Sequence, residues 1–173
     1  MSRPLNATAD SLLGFLHQGP MTGWDLVATA QQRIGDFWSL TQSQVYRELA
    51  SMAEHGLVEA GERGSRDKRP YTLTPAGREA FAAWIERIPG NETIRFPLLL
   101  TLAFGQHVNS ERLATILQHH RLVHTERLRA YRLQREEIAA LGDSYALATL
   151  EFGIIYESAV LDWFDQLPDQ LAS

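Results

Sequence analysis

The chain has 173 residues, 45% hydrophobic and 21% charged, which is ordinary globular material sufficient for one large domain or two small ones. It contains no cysteine, which excludes a disulfide scaffold and any cysteine-ligated metal site, and its longest apolar run, Pro97 to Phe104, is far too short to span a bilayer. Lys and Arg number 16 against 21 Asp and Glu, a net charge of −5, so affinity for a nucleic acid would have to come from a local basic cluster.

The first six residues, Met1-Ser2-Arg3-Pro4-Leu5-Asn6, carry no signal-peptide core, so a cytoplasmic protein without a membrane segment is expected. A short helix is predicted from Asp10 to Gln18, with Leu12, Leu13, Phe15 and Leu16 as its apolar face and Gly19-Pro20 as its stop. Thr22 then caps a second helix, with Asp25 completing a capping box and Leu26, Val27, Ala30 and Ile34 facing inward until Gly35-Asp36. Phe37 and Trp38 are expected to plug the corner before the next helix.

That next helix begins at Thr41, whose hydroxyl can accept a backbone N–H while Gln44 reaches back to it. Val45, Leu49 and Met52 fall on one side, and Ser43, Arg47, Ala50 and Glu54 on the other. The outward face is slim and, near its start, carries Gln42, Ser43, Gln44 and Arg47, side chains of the kinds that hydrogen-bond base edges and phosphates. Gly56 supplies a left-handed cap. Two short alternating segments follow, Leu57–Arg63 and Arg69–Leu73, joined by Gly64-Ser65-Arg66-Asp67-Lys68 as a hairpin with a basic tip. A helix followed at once by such a hairpin outlines a winged helix-turn-helix, in which the helix enters a major groove and the hairpin touches the backbone beside it.

Thr74-Pro75 starts a fourth helix, predicted to run to about Ile88 with Phe81, Trp84, Ile85 and Ile88 on one stripe, and Pro89-Gly90-Asn91 forms a boundary. The organisation expected is therefore a DNA-binding domain over 1–90 and a helical dimerisation and effector domain over 91–173. In the second, an apolar helix is predicted from Ile94 to about His107. Asn109-Ser110 caps a much longer helix reaching about Leu141, in which Leu117, His124, Tyr131 and Ile138 recur every seven residues as a seam of the coiled-coil kind. A last helix, from about Ser144 to Gln166, is apolar almost all round except for a line of Glu151, Ser158, Asp162 and Asp165. Three helices alone do not easily bury Phe152, Ile154, Ile155, Tyr156, Val160, Leu161, Trp163 and Phe164, so a second copy of the chain is expected to cover part of that surface.

Leu12-Leu13-Gly14-Phe15-Leu16, Gly19-Pro20-Met21-Thr22-Gly23-Trp24-Asp25-Leu26, Gln44-Val45-Tyr46-Arg47-Glu48-Leu49, Glu54-His55-Gly56-Leu57-Val58 and Tyr71-Thr72-Leu73-Thr74-Pro75-Ala76-Gly77 together resemble the PadR family of bacterial transcription regulators in order and spacing. The second half resembles, in pattern, the longer several-helix C-terminal domain of one branch of that family. The resemblance implies a mostly α protein: an N-terminal winged helix-turn-helix of three helices and a two-stranded β-wing, then a helical dimerisation domain. It also implies a homodimer held by its C-terminal helices, with two recognition helices reading a pseudo-palindromic operator in double-stranded DNA.

The candidate DNA-binding set is Thr41, Gln42, Ser43, Gln44 and Arg47 at the recognition helix, with Tyr46, Arg66, Lys68 and Arg69 on phosphate. Tyr46 matches the tyrosine of the family's recognition-helix motif; its alternative role is a half-buried aromatic between helix and wing. Trp84, Phe96, Tyr156 and Trp163 are aromatic candidates for the wall of an effector pocket between the domains, which the resemblance suggests for a small aromatic or lipophilic molecule. His119, His120 and His124 lack further ligands at matching positions, so neither a metal nor a cofactor is expected. Glu157, among apolar neighbours, is expected either to pair with an arginine across a dimer or to line a cavity. No nucleophile elbow, phosphate loop or zincin motif is present, and the protein is not expected to be an enzyme. The expected function is a regulator, a repressor released by an effector; the alternative is a winged-helix module that binds protein instead of DNA.

Overall fold

The computed structural model describes residues 6–34, 37–62, 64, 69–92, 95–168 and 171. The chain divides into two compact units, Met1–Asn91 and Glu92–Ser173.

In the first unit, helix α1 spans Ala7–Leu16, starting three residues before the sequence-based boundary. Asn6 explains the difference, because its side-chain oxygen accepts the Ala9 N–H at 2.9 Å and caps the helix. Strand β1 (Met21–Thr22) runs directly into α2 (Gly23–Ile34). The expected capping box forms at that junction: the Thr22 N–H donates to the Asp25 carboxylate at 3.0 Å, and the Asp25 N–H to the Thr22 hydroxyl at 3.2 Å. Helix α3 (Gln42–Glu54) follows, with Val45, Leu49 and Met52 buried against Leu12, Leu13, Leu26 and Ala30. Gly56, at φ +70°, supplies the left-handed turn into strand β2 (Val58–Ala60).

Strand β3 (Pro70–Leu73) lies at the centre of a three-stranded antiparallel sheet ordered β1-β3-β2. The expected wing hairpin is β2 and β3, in register Val58↔Leu73, Glu59↔Thr72 and Ala60↔Tyr71. The third strand was not expected. β1 pairs Met21↔Tyr71 and Thr22↔Pro70, and two residues are too few for any alternation to be visible in sequence.

Thr74 caps helix α4 (Pro75–Ile85), accepting the Gly77 N–H at 3.0 Å and donating its hydroxyl to the carbonyls of Gly56 at 2.7 Å and Leu57 at 3.0 Å. Those bonds draw α4 so close to the turn after α3 that a Cβ on Gly77 would lie 2.1 Å from the Leu57 oxygen. Gly77→Ala is therefore expected to destabilise this unit by about 1–3 kcal/mol through overpacking, read by chemical denaturation. α4 ends three residues short of Ile88, which is 95% exposed. The residue before Pro89 is sterically disfavoured in a helix, and the stripe stops there.

Phe37 and Trp38 do not plug the corner: they are 56% and 40% exposed. Leu26, Ala30, Val45 and Leu49 already fill it, with Ile34 and Leu40 packed alongside, and no room for two large rings remains.

In the second unit, α5 is only Pro97–Ala103. Phe96, preceding a proline, is extended at φ −117°, ψ 92°, and Phe104 leaves the helix before a 3₁₀ turn at Gly105–His107. Helices α6 (Ser110–Leu141) and α7 (Ser144–Asp165) form an antiparallel hairpin about Gly142, at φ +71°. Asn109 caps the first by accepting the Arg112 N–H, and Asp143 the second by accepting the Ala146 N–H. Leu117, His124 and Leu128 of α6 are buried, and Tyr131 lies against Gly153 of α7, where a Cβ would come within 2.7 Å of its ring. The seven-residue seam is thus packed within one chain.

The expected polar line on α7 is not simply solvated. Asp165 pairs with Arg121 and Glu151 with Arg135, so two of its members clamp α7 to α6. Glu157 is likewise paired inside the chain, with Arg127 and His124 of α6, rather than across a dimer. The hairpin brings together side chains 16 to 44 positions apart in sequence, which helical periodicity within either helix does not reveal.

Candidate nucleic-acid interface

The residues expected to face DNA divide into those that build α3 and those left on its surface. Thr41 and Gln44 are builders. The Thr41 N–H donates to Gln44 Oε1 at 2.9 Å, the Thr41 hydroxyl donates to the same oxygen at 2.9 Å, and the Gln44 N–H donates to the Thr41 hydroxyl at 3.3 Å. The Gln44 amide oxygen is committed to this cap, which leaves its nitrogen as the group able to meet an acceptor outside the helix. Two of the four helix-terminal N–H groups are satisfied in this way, and the first turn holds its outward side chains in fixed directions.

Gln42, Ser43 and Arg47 are exposed on that turn and the next. Ser43 shares a 3.2 Å hydroxyl contact with Thr41. Arg47 reaches Glu48 Oε1 at 3.4 Å while its own side chain stays 70% exposed. Glu48 is 6% exposed, so its carboxylate is a buried anchor beside the guanidinium, a role that the sequence pattern did not single out. An exposed, loosely held arginine next to a glutamine and a serine matches the hydrogen-bonding demands of a groove edge.

Tyr46 packs on the start of α2. Its ring lies over the first residue of α2, so that a Cβ on Gly23 would sit 2.7 Å from Tyr46 Cε1 and Cζ, yet the side chain remains 42% exposed. On the wing, the Arg69 guanidinium donates through Nε to the Gly61 carbonyl at 2.9 Å and through Nη2 to the Ala60 carbonyl at 3.4 Å. Arg69 thereby ties the two wing strands together at their loop end and keeps its charge in solvent. Arg66 and Lys68, the tip cations, lie outside the described residues.

Of the four effector candidates, Phe96 and Trp163 pack on one core cluster of the second unit, that of Leu98, Leu113, Leu117 and Phe164. Trp84 belongs to the first unit and packs on Phe81, ring centres 5.9 Å apart. In the second unit Phe96 stacks on His124 at 5.9 Å, Tyr156 on Phe152 at 6.4 Å, and Trp163 packs on Phe164 at 4.8 Å. Burial, together with the Glu157 carboxylate, pushes the Tyr156 phenol above its ordinary range against the pull of Arg127. An open cleft in this unit is lined by Thr115, Leu117, Gln118, Arg121, Phe164 and Leu167, among others, and by none of the four.

His119 and His120 meet edge to face at 5.7 Å, and burial, then its neighbours His119 and His124, lower the basicity of His120. Among the described residues no three His, Asp or Glu side chains are grouped to hold a metal ion. No helix among them is long and apolar enough to cross a membrane.

Residues 12–83 match the model of the transcriptional regulator PadR-like family, and residues 94–172 match that of the virulence activator alpha C-terminal domain. The negative transcriptional regulator PadR of Bacillus subtilis is 24% identical over 147 residues, covering 83% of this chain and 81% of that protein. The structure of Bacillus subtilis PadR in complex with operator DNA superposes with a TM-score of 0.77 at 22% identity, covering 94% of this chain and 97% of that one. Its complex with p-coumaric acid superposes at 0.61, also at 22% identity, covering 93% of this chain and all of that one. The match of residues 12–83 makes the first unit PadR-like, the match of residues 94–172 relates the second to the virulence activator alpha C-terminal domain, and the relatives that span both units are transcriptional regulators.

Proposed function

We propose that the protein is a homodimeric, sequence-specific DNA-binding repressor acting in the cytoplasm, with α3 in the major groove and the β2–β3 wing on the adjacent backbone. The observation that carries this reading is the outer face of α3: Gln42, Ser43 and Arg47 stand exposed on a helix start that its own capping box holds rigid. The operator complex of the Bacillus subtilis relative supports it. This reading assigns Thr41 and Gln44 to the same face and Tyr46, Arg66, Lys68 and Arg69 to phosphate.

Dimerisation through the C-terminal unit is supported by apolar side chains that α6 and α7 leave uncovered. Leu122 and Leu133 are 60% and 61% exposed, Phe152 and Ile155 64% and 67%. A second copy would remove these from water and set two recognition helices on a dyad, each reading one half-site. Release of the operator by a small aromatic or lipophilic molecule is supported by the relative's complex with p-coumaric acid. An effector acts by binding a dimer with misaligned recognition helices more tightly than the aligned one.

Selection of bound sequences from a random duplex pool tests the proposal. An inverted repeat with half-sites about 34 Å apart is expected. Ser43→Ala and Arg47→Ala are each expected to relax base preference within the half-site, by roughly 1–3 kcal/mol for a lost base contact. Recovery of no motif by the folded protein would instead favour a protein-binding winged helix, consistent with the net charge of −5.

A further inference from the structure

We infer that Glu48 is a positioning residue for sequence reading: its buried carboxylate tethers the Arg47 guanidinium so that it takes a base edge in preference to a phosphate. This rests on the groove-reading role proposed for α3. The buried residues of α3 are Val45, Glu48, Leu49 and Met52, so a carboxylate shares the face that packs into the core. A charge there is costly unless a cation meets it. The cation is Arg47, whose Nη2 lies 3.4 Å from Glu48 Oε1. Consecutive helical side chains do not face each other, so the guanidinium is drawn back around the helix to make this contact. The Glu48 side chain is 8% exposed and that of Arg47 70%, so of the pair it is the arginine that is offered to an outside partner.

Two kinds of acceptor compete for an exposed arginine in a groove. One is the neutral O6 and N7 pair of guanine, which the planar fork fits in bidentate fashion; the other is the charged oxygen of a phosphate. Glu48 biases that choice. Its contact engages Nη2 alone, which leaves other N–H groups of the fork for an outside acceptor. The carboxylate offsets the charge that draws phosphate, and it repels a phosphate oxygen brought up to the same guanidinium, whereas a neutral base edge meets no such repulsion. Gln42 and Ser43, exposed on the first turn, add no charge that would cancel this effect.

The full-length wild type, Glu48→Gln, Arg47→Ala and the double variant are titrated across a series of salt concentrations. The duplexes are the selected operator, operators carrying each single base-pair substitution in the half-site, and a shuffled sequence. Glu48→Gln is expected to lose at least about 5-fold in discrimination at one base pair of each half-site, the lower end of what a bidentate contact provides. That base pair is the one at which Arg47→Ala also loses discrimination. On the shuffled duplex the slope of log K against log salt is expected to steepen by about 0.9, as Arg47 turns to a phosphate. In the Arg47→Ala background the Gln substitution should leave discrimination unchanged. Glu48→Met, apolar and of similar length, is expected to behave as Glu48→Gln does, and it takes that variant's place if the buried amide impairs folding. Unchanged discrimination or an unchanged slope in the folded variant overturns the inference. So does a loss spread evenly over the half-site, or one that persists at full size in the Arg47→Ala background, since a merely structural Glu48 would give either. If the wild type itself does not discriminate operator from shuffled duplex, the groove-reading proposal fails first, and the inference with it.

Discussion

Glu157→Ala is expected to destabilise the C-terminal unit by about 3–5 kcal/mol, the loss that follows when one partner of a buried ion pair is removed. The Glu157 side chain is 2% exposed; Oε1 accepts from Arg127 Nη1 at 3.1 Å and Oε2 meets His124 Nδ1. His124 is itself buried between Phe96 and Phe164. Deleting the carboxylate leaves an imidazole without its acceptor in apolar surroundings. It also removes the charge facing Arg127, whose side chain is 31% exposed and can turn toward water, which places the loss at the lower end of the range.

Glu157→Gln keeps the shape and one acceptor and is expected to lose less. Replacing His124, Arg127 and Glu157 together by Leu, Met and Leu is expected to recover much of the stability, because a buried polar cluster is costly to break and nearly neutral to replace whole. Urea unfolding followed by helical ellipticity, at one fixed protein concentration, measures all three. A Glu157→Ala variant within 1 kcal/mol of wild type would show that the cluster contributes nothing to the α6–α7 hairpin.

The second large effect is on the pH profile of the DNA-binding unit. Asp10 on α1 is fully buried, and among the described residues neither of its carboxylate oxygens has a hydrogen-bond partner. Burial raises its pKa from 3.8 to about 6, opposed by the Arg87 charge. The folded unit therefore binds this proton more tightly than the unfolded chain. The associated stability is fully present below about pH 3.8, is lost as pH rises through about 6, and amounts to about 3 kcal/mol.

Asp10→Asn, neutral at every pH, should lack that component. Its melting temperature is expected to exceed the wild type's near pH 7.5, by less than the full component because a buried amide also needs partners, and the gap should close toward pH 4.5. Other carboxylates titrate alike in both proteins and cancel in the difference. Parallel melting curves for the two across pH 4.5–8 would mean that Asp10 is compensated in the folded protein.

Local chemistry made much of this molecule legible before any coordinates. The capping boxes at Thr22 and Thr41, Thr74-Pro75, Asn109 and Gly142 mark helix ends through interactions within a few residues, and each acts where the sequence places it. The inward stripe of Val45, Leu49 and Met52 and the outward Ser43 and Arg47 follow from helical periodicity alone. Helix lengths were harder where prolines intervene. Phe96 and Ile88 belong to apolar runs that read as helix, and the proline after each breaks the run by steric exclusion.

What sequence alone determined was the order of elements, the winged-helix outline and the exposed side of α3, because these depend on residues three or four apart. What only the tertiary structure decided was which distant side chains meet. β1 pairs across some fifty residues to set the start of α2 beside the wing, Tyr46 closes over Gly23, and the α6–α7 hairpin turns Glu157 toward Arg127 and His124. The filled corner that leaves Phe37 and Trp38 in water is of the same kind. Volume and pairing are properties of the assembled core, and no periodicity along the chain encodes which of several apolar or charged candidates reaches a given place first.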